Sequence, residues 1–224
     1  NATGVILHTN LGRAPLSQET QTAMTNVTNG YSNLEYDVTS GSRGSRFGHL
    51  QSIIQRLTGA EDSIVLNNNA GAILTTLAAI CKDGEVVVSR GQLVEIGGGF
   101  RVPDVMNQSG AQLKEVGTTN RTRATDYKNG INDKTKALMR VHPSNFLISG
   151  FTEETPLREI VKVGHEHNLP VIDDIGSGAL LDLRPYGLKS EPLLSECIDD
   201  GADLVLASGD KLIGGPQAGL IIGK

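Results

Sequence analysis

The chain has 224 residues, 38% of them hydrophobic, and a formal net charge of −5, a length sufficient for one sizeable core. It holds neither a run of about 18 apolar residues nor a signal-peptide pattern, so a soluble, untargeted, cytoplasmic protein without a membrane span is expected. The negative balance gives no global attraction to nucleic acid, so an RNA partner finds its main electrostatic footprint elsewhere. Cys81 and Cys197 lack metal or redox spacing, as reduced structural thiols do. The chain opens at Asn1-Ala2-Thr3-Gly4 and stops on a strand-like run, and it reads as a domain excised from a longer protein.

The first 48 residues, rich in Gly, Asn, Ser and Thr, read as an extended arm followed by loops. Leu50, Ile53, Ile54 and Leu57 then recur as the apolar stripe of an amphipathic helix that Gly59 closes. Seven short apolar, β-branched segments follow: 63–66, 85–88, 112–116, 137–141, 170–172, 202–207 and 218–222. Helical stretches separate most of them. One is Ile73–Ile80; another has Pro156 at its first position after Thr155, with Leu157, Ile160 and Val161 repeating the stripe up to Asn168. Such alternation predicts a mainly parallel sheet covered on both faces. Ligands then bind beyond the carboxyl ends of the strands.

The most informative segment is Ser208–Gly219, a glycine-rich loop that carries Lys211 between two apolar runs. The runs are joined by about a dozen residues, too few for a right-handed crossover, so they are predicted antiparallel. Lys211 then sits at the sheet mouth, where burial lowers an amine's pKa and equips it as nucleophile and base. After Leu66, Asn67-Asn68-Asn69-Ala70-Gly71-Ala72 opens a helix with caps and small residues, which suits either an anion cradle or plain capping. After Ile172 come Asp173 and Asp174, which read as a metal site, a partner for a cationic nitrogen, or a cap; no third ligand supports the metal. Asn145, in His142-Pro143-Ser144-Asn145, reads as a ligand contact or a turn residue. Together, a lysine, an acid and a Gly/Asn helix start are the parts that hold pyridoxal 5'-phosphate. Ser208, three residues before Lys211, can reach the same phosphate.

The blocks Asn1–Gly4, His8–Pro15, Gly30–Tyr36, Gly41–Arg46, Asn67–Ala70, Ser89–Gly98, Gly117–Thr122 and Ser208–Gly219 resemble, in order and over essentially the full chain, the catalytic core of the bacterial selenocysteine synthase (L-seryl-tRNA(Sec) selenium transferase) family. The resemblance implies an α/β fold of the aspartate-aminotransferase-like class, fold type I. In that class the large domain has a seven-stranded, mostly parallel sheet with helices on both faces. Residues 1–48 would be the arm and loops of the core, and 49–224 the cofactor-binding large domain. The family's N-terminal tRNA-binding domain and small C-terminal domain would lie outside the chain.

By the same resemblance Lys211 forms a Schiff base with pyridoxal phosphate, Asp174 pairs with the pyridine nitrogen and Asn145 bonds the phenolic oxygen. Asn68, Asn69, Ala70 and Ser208 hold the phosphate. Leu93 stands where related folds stack a His or aromatic on the ring, and Asp210 replaces the His of the Ser-x-His-Lys signature of cysteine desulfurases, where with Lys211 it is a candidate catalytic residue that tunes proton transfer or contacts substrate, or else packs the loop. Arg13 is the first choice for the anion of a selenophosphate donor, with Arg43 and Arg46 read as surface salt bridges. His142 is expected to line the pocket. The implied reaction converts seryl-tRNA(Sec) to selenocysteyl-tRNA(Sec) through an aminoacrylyl-tRNA, in a homodimer that builds into a larger ring. Two other readings stand beside it: a related lyase acting on a small amino acid or amino sugar acid, and an inactive cofactor-binding core.

Overall fold

Apolar runs alternating with amphipathic stretches build a layered α/β structure; the computed structural model describes residues 7–96 and 98–224. The Asn1–Gly4 block and Gly97 therefore lie outside the described residues. In chain order come α1 (Gln18–Thr28), the short strands β1 (Tyr36–Asp37) and β2 (Ser42–Arg43), and α2 (Gly48–Thr58). Next are β3 (Asp62–Leu66), α3 (Asn69–Ile80), β4 (Glu85–Ser89), β5 (Glu95–Ile96) and β6 (Phe100–Arg101). The chain continues with α4 (Val102–Ser109), β7 (Gln112–Val116), α5 (Ala124–Gly130), β8 (Thr135–Val141) and α6 (Leu157–Glu166). It ends with β9 (Val171–Gly176), α7 (Leu194–Asp199), β10 (Leu204–Ser208) and β11 (Gly219–Gly223).

The seven predicted strands form one sheet in the order β3-β11-β10-β9-β8-β4-β7. β11 is antiparallel to both β10 and β3, and the other pairings are parallel. The short Lys211 loop is thus the antiparallel connection its length demands. Successive side chains leave the sheet on opposite faces. Val87, Leu138, Val171 and Val205 pack with Ile54, Tyr127, Ile160 and Ile198 on one face. Val86, Met139, Ile172 and Leu206 pack with Ile73, Leu77 and Met106 of α3 and α4 on the other. Cys81 and Cys197 are free thiols buried in these cores.

Three local readings change. Within the arm, α1 forms although it buries none of its residues; Ser17 caps it by accepting the Thr20 N–H at 3.2 Å. A polar sequence rich in Thr and Gln shows no stripe by which to find it. α2 ends at Gly59 (φ 75°) as expected, but Leu50, Ile53 and Leu57 of its stripe are 42–54% exposed and only Ile54 turns inward. Pro156 is the cap of α6 rather than its first residue, because the buried Thr155 hydroxyl donates to the Thr122 carbonyl at 2.7 Å instead of capping the helix.

β11 crosses directly beneath the start of α3. A Cβ at Gly219 would stand 2.1 Å from the Asn68 carbonyl oxygen and 2.8 Å from the Asn69 nitrogen, both backbone atoms that cannot swing aside. Gly219→Ala is therefore expected to destabilise the protein by at least about 2 kcal/mol, read as a lower urea midpoint with an unchanged m-value.

Candidate active site

β9 extends through Val171-Ile172-Asp173-Asp174-Ile175-Gly176, so the two carboxylates lie inside a strand and neither caps a helix. Strand alternation sends them to opposite faces. Asp173 is fully buried and takes a bidentate pair from Arg140, Nε to Oδ1 and Nη2 to Oδ2, both at 2.7 Å. Asp174 faces α3 and accepts the Asn69 amide at 2.8 Å. Burial is the main cause that pushes the Asp174 carboxyl up to about 6, and the charge of Asp173 adds to it; Asn69 and Lys211 pull the other way.

Lys211 lies in the turn that closes the β10–β11 pair, with its Nζ 3.9 Å from where a Cβ of Gly176 would project. Gly176 has φ +60°, so the strand leaves the sheet in a left-handed conformation that keeps side chains away from the amine. Burial lowers the Lys211 pKa, with Asp174 opposing and Arg13 reinforcing the shift. Asn68 caps α3, its Oδ1 accepting the Gly71 N–H at 2.8 Å. The first turn of α3 then presents its remaining N–H groups towards the same space.

These parts share a cavity of ≈ 480 Å³ whose lining includes Arg13, Asn68, Asn69, Ala70, Asp174, Ser208 and Lys211. His142 lines it as well, and its backbone N–H is bonded to the Asp174 carbonyl at 2.8 Å. Asn145 is placed differently: its amide donates to the Glu95 carbonyl at 3.1 Å, and it lines a second cavity that also reaches Lys211. Asp210 is buried and pairs with Arg13 at 3.0 Å. It therefore steers Arg13 rather than lining the cavity itself. Arg13 adopts φ +68°, a left-handed conformation that costs free energy in a non-glycine residue.

Leu93 lies apart from the other site residues. It packs against the core on the α3 side, and the cavity wall is formed instead by Ile96 and Phe100 from the β5–β6 hairpin. The turn at Arg90–Gln92 rotates Leu93 inward and delivers the following residues to the cavity. Arg43 and Arg46 pair with Glu35. Glu191, bonded to His142 Nε2 at 3.2 Å, is the functional candidate that spacing leaves unmarked, since it lies in a long loop without motif or period. Among the described residues no group of three or more His, Cys, Asp or Glu could hold a metal ion.

A mostly parallel seven-stranded sheet, with a lysine turn, a buried strand acid and a helix start around one cavity, defines the large domain of fold type I enzymes. Two solved structures share this fold. A D-glucosaminate-6-phosphate ammonia-lyase matches with TM-score 0.76 and 24% identity, over 96% of this chain and 56% of that one. A serine palmitoyltransferase from S. paucimobilis with bound PLP matches with TM-score 0.61 and 15% identity, over 92% and 49%. The family model described as SelA, L-seryl-tRNA selenium transferase, matches residues 1–224. The L-seryl-tRNA(Sec) selenium transferase of Alkaliphilus metalliredigens (strain QYMF) is 58% identical over 224 residues, all of this chain and 48% of the relative. The chain belongs to the L-seryl-tRNA selenium transferase family, and it spans about half the length of the curated relatives it matches.

The raised carboxyl of Asp174 has a consequence for the ligand-free protein. An unfolded aspartate titrates near about 3.9, and the folded group at about 6. The folded state thus binds the extra proton between those values. The stability this contributes is fully present below the lower value and is lost as pH rises to about 6. Urea unfolding at stepped pH should show this loss, and Asp174→Asn should flatten it.

Proposed function

We propose that this cavity holds pyridoxal 5'-phosphate and serves the replacement of the β-hydroxyl of a tRNA-linked serine by selenium from selenophosphate. The observation that carries the reading is the convergence of the Lys211 amine, the buried Asp174 carboxyl and the start of α3 on one space. The fit is also seen in a cavity-lining polar atom without a protein partner: Asn69 Oδ1 is buried and unbonded, which is costly unless a ligand or water satisfies it. When bound, the cofactor supplies an electron sink for charge developing at the substrate Cα.

The protein's own groups divide the remaining work. Lys211 would hold the cofactor through its amine and, when free, would take the Cα proton, for which its lowered pKa suits it. Asp174, ionised beside a cationic ring nitrogen, exchanges the cost of burial for a charge pair. Asn68, Asn69, Ala70 and Ser208 would hold the phosphate, and Asn145 would bond the phenolic oxygen. Arg13, fixed by Asp210, offers a planar fork to the oxygens of the selenophosphate donor.

The protein acts in the cytoplasm as a homodimer that builds into a larger ring. The exposed stripe of Leu50, Ile53 and Leu57 on α2 supports an apolar contact between copies, since exposed patches of this kind mark interaction sites. Among the described residues no helix is long and apolar enough to cross a membrane. The tRNA body is bound mainly by domains outside this chain, in keeping with its net charge of −5.

Purified protein mixed with pyridoxal phosphate should acquire a visible absorption band that borohydride fixes covalently, and Lys211→Ala should abolish both. Retention of the band by Lys211→Ala overturns the assignment. Arg13→Ala should weaken binding of selenophosphate by at least about tenfold while cofactor uptake stays intact, because a bidentate charged contact is worth about 1.5–3 kcal/mol. Isothermal titration of the donor into cofactor-loaded protein measures this.

A further inference from the structure

Two cavities meet at Lys211. The first contains the helix start and Asp174; the second, of ≈ 390 Å³, opens past Asn145, Ser177 and Glu191 and shares with the first only Thr9, Ile96, Ser144 and Lys211. The charge in the second cavity is unusual for a pocket meant to take an amino acid. Its acidic group is Glu191, and among the described residues no arginine lines it. Its other titratable members are Lys211, whose amine is committed to the cofactor, and His8. The His8 Nδ1 accepts the Asn10 N–H at 3.1 Å.

Glu191 is not free to swing away. Its Oε2 is 3.2 Å from His142 Nε2, and His142 is tied through its backbone to Asp174. The bond from His142 is the largest cause holding the Glu191 carboxyl below the usual carboxylate range. Nearby, the Ser177 hydroxyl oxygen is buried without a partner, and Ser144 and Asn145 supply further neutral hydrogen-bonding groups.

The following inference rests on the assignment of pyridoxal phosphate to the first cavity. A substrate amine that meets the cofactor at Lys211 must direct its carboxyl end away from the cradle, and the second cavity is the space on that side. We infer that this cavity receives the carboxyl end of the substrate, and that Glu191 makes it a charge filter. It admits an amino acid esterified to a ribose and rejects one with a free α-carboxylate. A free amino acid brings a second negative charge against Glu191, an arrangement that costs binding energy in a partly desolvated site. An ester is neutral there, and its carbonyl and the ribose hydroxyls find partners in Ser144, Asn145 and Ser177. Specificity then arises from a repulsive element as much as from an attractive one.

The test uses L-serine and L-serinamide, which differ by the carboxylate charge, titrated calorimetrically into cofactor-loaded protein. The wild-type protein should bind serinamide more tightly by about tenfold or more, as expected for one repelled charge. Glu191→Gln should shrink that ratio at least severalfold by improving serine, with serinamide unchanged. Glu191→Asp, which keeps the charge, should preserve the ratio. A ratio unchanged in Glu191→Gln, or one that shrinks only because serinamide binds worse, overturns the filter. Should Glu191→Gln not fold, Glu191→Ala removes the charge and must also shrink the ratio by improving serine; an unchanged ratio there overturns the filter too. Folded wild-type protein that takes up no cofactor overturns the assignment of the first cavity and the filter with it, whereas loaded protein with equal affinities overturns the filter alone.

Discussion

A carboxyl group buried in the middle of a sheet is expensive, and the site is organised around making that cost useful. β9 carries two of them side by side, and one rule of strand geometry separates their fates. Alternation turns Asp173 to the face of α5, α6 and α7, where Arg140 neutralises it with two hydrogen bonds at 2.7 Å. The same alternation turns Asp174 to the face of α3, where a neutral amide from Asn69, and no arginine, is its side-chain hydrogen-bond partner among the described residues. Had both acids received an arginine, neither would be available to a ligand. Had neither, the strand would hold two uncompensated charges, a penalty of several kcal/mol for each. The asymmetry leaves one carboxyl poised for a cationic partner.

The antiparallel insertion of β11 completes the arrangement. A parallel connection after β10 would need a helix and would carry the chain far from the sheet mouth. The short return instead holds Lys211 close to the end of β9, so amine and carboxyl face one cavity. The same strand runs under the start of α3 so tightly that only glycine fits at position 219. Lysine loop, strand acid and the start of α3 are thus parts of one packed unit, and none can shift without moving the others.

This explains which features could be read in the sequence. The sheet was legible because seven apolar runs of strand length are local signals, and so was the sense of β11, which follows from loop length alone. Lys211, Asn68 and Ser208 were legible because each ends or follows such a run. The choice between Asp173 and Asp174 needed a register that the apolar pattern does not carry, because the run was taken to stop at Ile172. The packing of Leu93 against the core was hidden for a related reason: a turn of three residues at Arg90–Gln92 precedes it, and no period marks that turn. Glu191 was invisible because its role depends on a loop folding back over 49 residues to reach His142.

The arm shows where the reach of a single chain ends. α1 buries none of its residues, and an isolated helix of that length is marginal in water. Yet the arm supplies Arg13, and it is joined to the lysine loop twice: the Ala14 N–H donates to the Asp210 carbonyl at 3.0 Å, and Arg13 pairs with the Asp210 carboxylate. The left-handed backbone at Arg13 adds strain that these contacts, with the Arg13 N–H bond to the His8 carbonyl at 3.1 Å, help to offset. Contacts that order the arm from outside would therefore be felt at Asp210 and, one residue on, at Lys211. In the proposed assembly, a second copy lying on the exposed apolar face of α2 would bury Leu50, Ile53 and Leu57, and any contact it made with the arm would bear on Arg13 and, through it, on Asp210.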